Sequence, residues 1–167
     1  MHSTIWTMMS QLRVRDLMTT EVITVKPTDT IRQAVIRMAI DNVTGAPVVD
    51  NRNHVLGIIT QTDILKLILR YQEKLDKEGA GHLLGVPMDV SGSPDAVSSV
   101  NKEISEMKVQ DLMIHSTLYT TPDAEIIEVL KLMMKLDVGR LPVLEQGVLV
   151  GTISRSDIIF YIYKKKS

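Results

Sequence analysis

With 167 residues, 44% of them hydrophobic and 23% charged, the chain is long enough to bury a core as one domain or as two intimate halves. A net charge of −1 gives no electrostatic footing for nucleic acid or for an anionic membrane. The absence of cysteine excludes disulfides and thiolate chemistry.

A cytoplasmic setting is expected. Residues 1–11 carry neither the basic nor the continuous apolar stretch of a secretion signal. No apolar run reaches the ~20 residues of a membrane-spanning helix. Residues 14–18 predict a short helical turn. Residues 22–25, rich in β-branched side chains and stopped by Pro27, predict a strand. Thr28 and Asp29 supply helix-start chemistry. Ile31, Ala34, Val35, Met38 and Ala39 then recur on one helical face. Residues 46–49 and 55–59 predict two short strands around the polar turn 50–53, and a helix is expected over about 63–75.

Glycine, serine and proline crowd residues 77–92 and predict a mobile loop. Ser93-Pro94-Asp95 reads as a cap, a first-position proline and a first-turn acid. It opens a helix lined by Val97, Val100, Ile104 and Met107. A strand over 117–120, a helix over about 124–137, strands over 141–144 and 148–153, and a helix over about 156–163 complete the order. That last helix is apolar nearly all round. It should be covered on more than one side, by the sister unit or by another subunit. Lys164, Lys165 and Lys166 read as a solvated helix end.

The second set of elements repeats the first. Val14-Arg15-Asp16-Leu17-Met18 matches Val109-Gln110-Asp111-Leu112-Met113 at a shift of 95 positions. The same shift pairs Pro27 with Pro122, Met38 with Met133, and Pro47-Val48 with Pro142-Val143. Gly57-Ile58-Ile59-Thr60-Gln61-Thr62-Asp63 returns as Gly151-Thr152-Ile153-Ser154-Arg155-Ser156-Asp157 at a shift of 94. One residue is therefore missing from the second copy, in the turn between Val49 and Gly57, where length changes are tolerated. The predicted organisation is α+β: repeat 1 over 12–76, a partly mobile connector over 77–106, and repeat 2 over 107–164, each repeat β-α-β-β-α.

Asp-Leu-Met, the strand-stopping proline, the Pro-Val strand and Gly-x-x-Thr/Ser-x-x-Asp, twice in that order, resemble a tandem pair of cystathionine β-synthase-type (CBS) domains. The resemblance covers residues 14–163 except the connector. It implies two units packed sheet to sheet about a pseudo-twofold axis, with a cleft at each end of their interface. In the family such clefts commonly bind adenosine-containing ligands: AMP, ADP, ATP, and sometimes NAD or S-adenosylmethionine.

Site roles follow from that implication. Asp63 and Asp157, at helix starts, are placed to accept hydrogen bonds from both ribose hydroxyls; the alternative is a plain cap or first-turn acid. Thr60, Thr62, Ser154 and Ser156 stand beside the free N–H groups of a helix start, which suit phosphate. An adenine slot would draw on Val22 and Thr24 with Ala46 and Pro47, and on Thr117 and Tyr119 with Leu141 and Pro142. Arg140, just before Leu-Pro-Val, stands where basic residues of the family often reach phosphate, its alternative being a surface arginine. Gly45 takes its place in repeat 1. Arg155 is a further phosphate candidate.

The leading expectation is a regulatory module that binds an adenosine nucleotide and signals to a separate protein, because the chain leaves no room for a catalytic, channel or kinase domain. A structural dimerisation module with empty clefts is the alternative. An enzyme is the third reading, but nucleophile–base pair, P-loop and metal cluster are all lacking, so no catalytic residue is expected. The four histidines are dispersed, so no metal site is expected, and no cofactor beyond the regulatory nucleotide. A homodimer is expected from the apolar final helix and from Leu65 and Leu69, opposite the core stripe of their helix. The two sites should differ in affinity, since Arg140, Arg155 and Ser154 gather in repeat 2.

Overall fold

The computed structural model describes residues 11–85, 96–115 and 118–166. Its elements in order are α1 (Val14–Leu17), α2 (Ile31–Ile40), β1 (Gly45–Val49), β2 (Val55–Thr60), α3 (Gln61–Glu78), a 3-10 turn (Leu83–Gly85), α4 (Ala96–Glu106), α5 (Val109–Leu112), α6 (Ile126–Leu136), β3 (Arg140–Glu145), β4 (Val148–Ser154) and α7 (Arg155–Lys166). β1 pairs with β2 and β3 with β4, each pair a separate two-stranded sheet. The expected caps Ser93 to Asp95 lie outside the described residues. Among those residues no helix is long and apolar enough to cross a membrane.

The chain divides into two compact units, and neither follows one repeat. The Asp63 unit holds residues 23–50, 56–85 and 96–115; the Asp157 unit holds 11–22, 51–55 and 118–166. The short opening helices explain this division. A four-residue helix cannot sustain itself and must be held from outside. Val14 of α1 is fully buried among Ile126, Val129, Met133, Ile153 and Ile158. Val109 of α5 is fully buried among Val25, Ile31, Ala34, Val48 and Ile64. Each repeat's Asp-Leu-Met helix is thus built into the core of the other repeat's elements.

The prolines of the repeat take part in that arrangement. Arg15 N donates to the Pro122 carbonyl at 3.0 Å, and Gln110 N to the Pro27 carbonyl at 3.0 Å. First-turn N–H groups lack partners inside a helix, so these carbonyls satisfy donors that would otherwise be orphaned.

Among the described residues the strands expected over 22–25 and 117–120 are not formed. Each is reduced to one parallel bridge, Val25 with Val48 and Thr120 with Val143. The cause lies in the partner strands. Val25 N donates to Pro47 O and its carbonyl accepts from Val49 N; Thr120 makes the same pair with Pro142 O and Leu144 N. Two residues further back the ladder would need an N–H from Pro47 or Pro142, which proline lacks. The remaining expected strands and helices are present, with α3 extending beyond the expected 63–75 at both ends.

The missing residue of the second copy falls in the hairpin, as the repeat alignment placed it. β3 and β4 are joined by two residues, Gln146 (φ 51°) and Gly147 (φ 81°), both left-handed, the pattern of a type I′ turn. The β1–β2 connection is longer, and its Asn53 belongs to the Asp157 unit, where its Nδ2 donates to Leu149 O at 2.8 Å.

In the Asp63 unit α4 packs Val97 and Ile104 against Leu67 and Leu75 of α3 and against Leu83. The described part of the expected mobile loop is held: Leu83 is fully buried, and its N donates to Gln72 Oε1 at 2.7 Å.

Candidate functional site

In the Asp157 unit the β3–β4 register decides which side chains share a face. Arg140 lies opposite Ser154 and Pro142 opposite Thr152, while Leu141 lies opposite Ile153. Directly opposed residues point the same way and alternate residues share a face. Leu141 and Ile153 therefore enter the core, where both are almost fully buried. Arg140, Pro142, Thr152 and Ser154 occupy the other face. There Arg140 Nη1 donates to Thr152 Oγ1 at 3.0 Å.

Residue 19 completes this cluster. Thr19 and Thr152 exchange two backbone hydrogen bonds of 2.9 Å, so the stretch after α1 lies along β4. Gly151 makes the approach possible: a Cβ there would sit 2.8 Å from Thr19 O. The Thr19 hydroxyl donates to Asp157 Oδ1 at 3.2 Å, at the long end for such a bond. Ser154 N donates to Asp157 Oδ2 at 2.9 Å, and Asp157 N donates back to Ser154 Oγ at 3.1 Å. This is a reciprocal cap at the start of α7. An ionised carboxylate has about four acceptor positions. Ser154 N and the Thr19 hydroxyl use two of them, which leaves room for ligand hydroxyls.

The Asp63 unit builds the equivalent place with different chemistry. Ile114 occupies the position of Thr19, exchanging two 2.8 Å backbone bonds with Ile58, which stands where Thr152 stands in the other repeat. A Cβ at Gly57 would sit 2.5 Å from Ile114 O. Thr60 caps α3, its Oγ1 accepting from Asp63 N at 3.2 Å and donating to Asp63 Oδ2 at 2.6 Å. Asp63 also lines an open groove with Lys66, Leu69, Arg70, Glu73 and Leu112. Lys66 and Arg70 follow Asp63 at positions that share a helix face. Neither makes a hydrogen bond or ion pair among the described residues. Cationic groups thus come from different places: Arg140 from a strand in one unit, Lys66 and Arg70 from a helix in the other.

The remaining expected site residues divide as follows. Thr62 and Ser156 are exposed in the first turns of α3 and α7. Tyr119 is half exposed beside Thr120, whose N donates to Pro142 O at 3.0 Å. Ala46, Pro47 and Leu141 are buried. Val22 and Thr24, expected to act together, fall in different units. Both are half-buried, and Thr24 O accepts from Arg37 Nη1 at 2.6 Å. Arg155 donates through Nη2 to Asp137 Oδ1 at 2.9 Å and to Met133 O at 3.3 Å. It closes the carboxyl end of α6, a place that favours a cation in its own right. Thr117 lies outside the described residues.

Thr19, Thr152, Lys66 and Arg70 were not singled out by the sequence. Thr19 had one available signal: it directly follows Asp-Leu-Met, as Ile114 does in the second copy, so a polar–apolar difference inside an otherwise matched stretch marked it.

A sequence profile of the CBS domain matches residues 14–70 and 109–164, and the chain belongs to the CBS-domain family. The uncharacterized protein MJ1426 of Methanocaldococcus jannaschii is 31% identical over 155 residues, covering 87% of this chain and 88% of that protein. Two further relatives from that archaeon are longer; the chain spans 41% and 32% of their lengths. Among solved structures, CBSX2 in complex with AMP superposes with a TM-score of 0.66 at 23% identity, over 93% of this chain and 98% of that one. The CBS domain pair of protein MJ0100, in complex with 5′-methylthioadenosine and S-adenosyl-L-methionine, gives 0.65 at 19% identity, over 92% and 98%. These likenesses show the fold.

Proposed function

We propose that the chain is a regulatory module that binds an adenosine-containing ligand of the AMP, ADP or ATP class and signals to a separate protein in the cytoplasm. The observation that carries this reading is the pair of third-position helix aspartates with cations nearby. Asp63 shares its groove with Lys66 and Arg70. Asp157 adjoins Ser154, whose strand neighbour is Arg140. A carboxylate with open acceptor positions suits ribose hydroxyls, and cations near a helix start suit phosphate. The adenosine compounds bound to CBSX2 and MJ0100 support the same ligand class. Denaturing the purified protein and identifying the released small molecules tests the proposal. An adenosine compound near stoichiometric amount is expected. A protein that releases none and takes up none on titration contradicts it.

A dimerisation module without ligand is favoured by one observation: each aspartate carboxylate is already engaged at the cap of its own helix, Asp63 by the Thr60 hydroxyl and Asp157 by Ser154 N. The two readings share an expected homodimer. Ile159, Phe160 and Tyr163 of α7 are half or more exposed, as are Leu65 and Leu69 of α3, and exposed apolar clusters of this kind favour association. Light scattering at micromolar concentration should give twice the chain mass, and Phe160→Glu should shift it towards monomer. A wild-type monomer contradicts the dimer.

The sites should be unequal. Arg140→Gln should weaken ATP binding by about two- to tenfold and adenosine binding little, as expected for a solvent-exposed cation. Lys66→Gln with Arg70→Gln should do the same at the other site. Calorimetric titration of ATP should resolve two affinities; two indistinguishable sites contradict the difference.

A further inference from the structure

Asn101 sits in the middle of α4 with about 1% of its surface exposed, and neither Nδ2 nor Oδ1 has a hydrogen-bond partner. A buried primary amide with all its polar atoms unpaired is rare in folded proteins and penalises the state that buries it. The neighbouring turns of α4 are apolar, with Val97 and Ile104 in the cluster that includes Leu67, Leu75 and Leu83. The helix is therefore docked by its flanking turns and opposed by its centre.

A second observation points the same way. Beside α4 runs an apolar groove of about 430 Å³, with Ile104 and Ser105 along one edge and Val35, Ile36 and Leu65 among its lining. Those three lining residues are substantially exposed. α4 is thus bordered on that side by open apolar space rather than by packed side chains.

The carboxyl end of α4 is tied to the rest of its unit by backbone hydrogen bonds. At the carboxyl end Ile31 N donates to Met107 O at 2.8 Å, Thr30 bridges to Lys108, and Val109 N donates to Asp29 O at 2.8 Å. Near the middle Tyr71 Oη donates to Glu103 Oε1 at 2.8 Å, and this bond to a carboxylate raises the Tyr71 phenol above its ordinary value.

We propose that α4 is a releasable segment that opens about a hinge at Met107 while the rest of the Asp63 unit stays folded. Release hydrates the Asn101 amide and uncovers Leu67, Leu75 and Leu83. Because α4 leads directly into α5, whose Val109 lies in the core beside Ile64, its opening is placed to carry a change between the connector and the Asp63 site.

Hydrogen exchange on the full chain tests this. In wild type the amides of α4 should exchange by local opening, at least about tenfold faster than those of α2. Asn101→Ala deletes the orphaned atoms and should raise α4 protection by about tenfold. Ser99→Ala, at an exposed position of the same helix, controls for helix propensity and should raise it much less. Asn101→Asp should lower α4 protection further while α2 stays protected. If α4 exchanged only together with α2, or if Asn101→Ala lowered its protection, the proposal would be overturned. If Asn101→Asp failed to fold, the wild-type and Asn101→Ala comparisons would still decide it.

Discussion

Asp157→Ala is expected to weaken AMP binding by about ten- to over a hundredfold, and to lower stability at the same time. The first effect follows from losing a charged acceptor for ribose hydroxyls, about 1.5–3 kcal/mol. The second follows from the cap. Asp157 accepts from Ser154 N and from the Thr19 hydroxyl, so its removal takes this acceptor from the N–H of the cap residue and from a threonine side chain. Caps of this kind contribute about 0.5–2 kcal/mol. Asp63→Ala should behave likewise through its bonds with Thr60. The two effects are separable because they appear in different measurements: affinity at a temperature well below melting, and the denaturation midpoint without ligand. A mutant that melts lower but binds AMP like wild type would leave the aspartates as caps alone.

The largest loss of stability should come from Gly57→Ala. A Cβ at that position would meet the Ile114 carbonyl oxygen at 2.5 Å, a backbone atom that cannot swing aside. Either the Ile58–Ile114 pairing opens or the core behind it moves. Forced contacts of this kind cost about 1–3 kcal/mol, occasionally more. Gly151→Ala, with 2.8 Å to Thr19 O, should cost somewhat less and should also disturb the threonine that reaches Asp157. Gly139→Ala is the control, since nothing lies within 4 Å of its added Cβ. Denaturant titration of the three variants should rank them in that order. Equal midpoints for Gly57→Ala and Gly139→Ala would contradict the close approach.

These two glycines mark the limit of what could be read from the chain. The repeat was visible because its glycine, hydroxyl and aspartate recur at fixed spacing. The function of the glycine was not visible, because it depends on a neighbour 57 residues away in one case and 132 in the other. The helices were legible from their apolar periodicity, and α4 was found through Val97, Val100, Ile104 and Met107. The strands at 22–25 and 117–120 were misread for a physical reason. Their β-branched content is that of strands, but whether a ladder forms depends on the partner, and the partner carries Pro47 or Pro142. The lodging of each short helix in the other repeat's core was also out of reach, since Val14 and Val109 look alike. Of the candidate site, the place of the two aspartates in the first turns of their helices is legible. Leu141 stands beside Pro142 in the sequence, but strand alternation turns its side chain into the core. Arg155 carries its charge beside the motif, and the structure ties it to Asp137.

The central claim is that Asp63 and Asp157 receive a ribose. The most direct measurement is calorimetric titration of the wild-type protein with AMP and with its 2′-deoxy analogue under the same conditions. Losing one hydroxyl from a charged acceptor should weaken binding of the analogue by about tenfold or more. Equal affinities for the two compounds, or no heat from either with ligand-free protein, would contradict it.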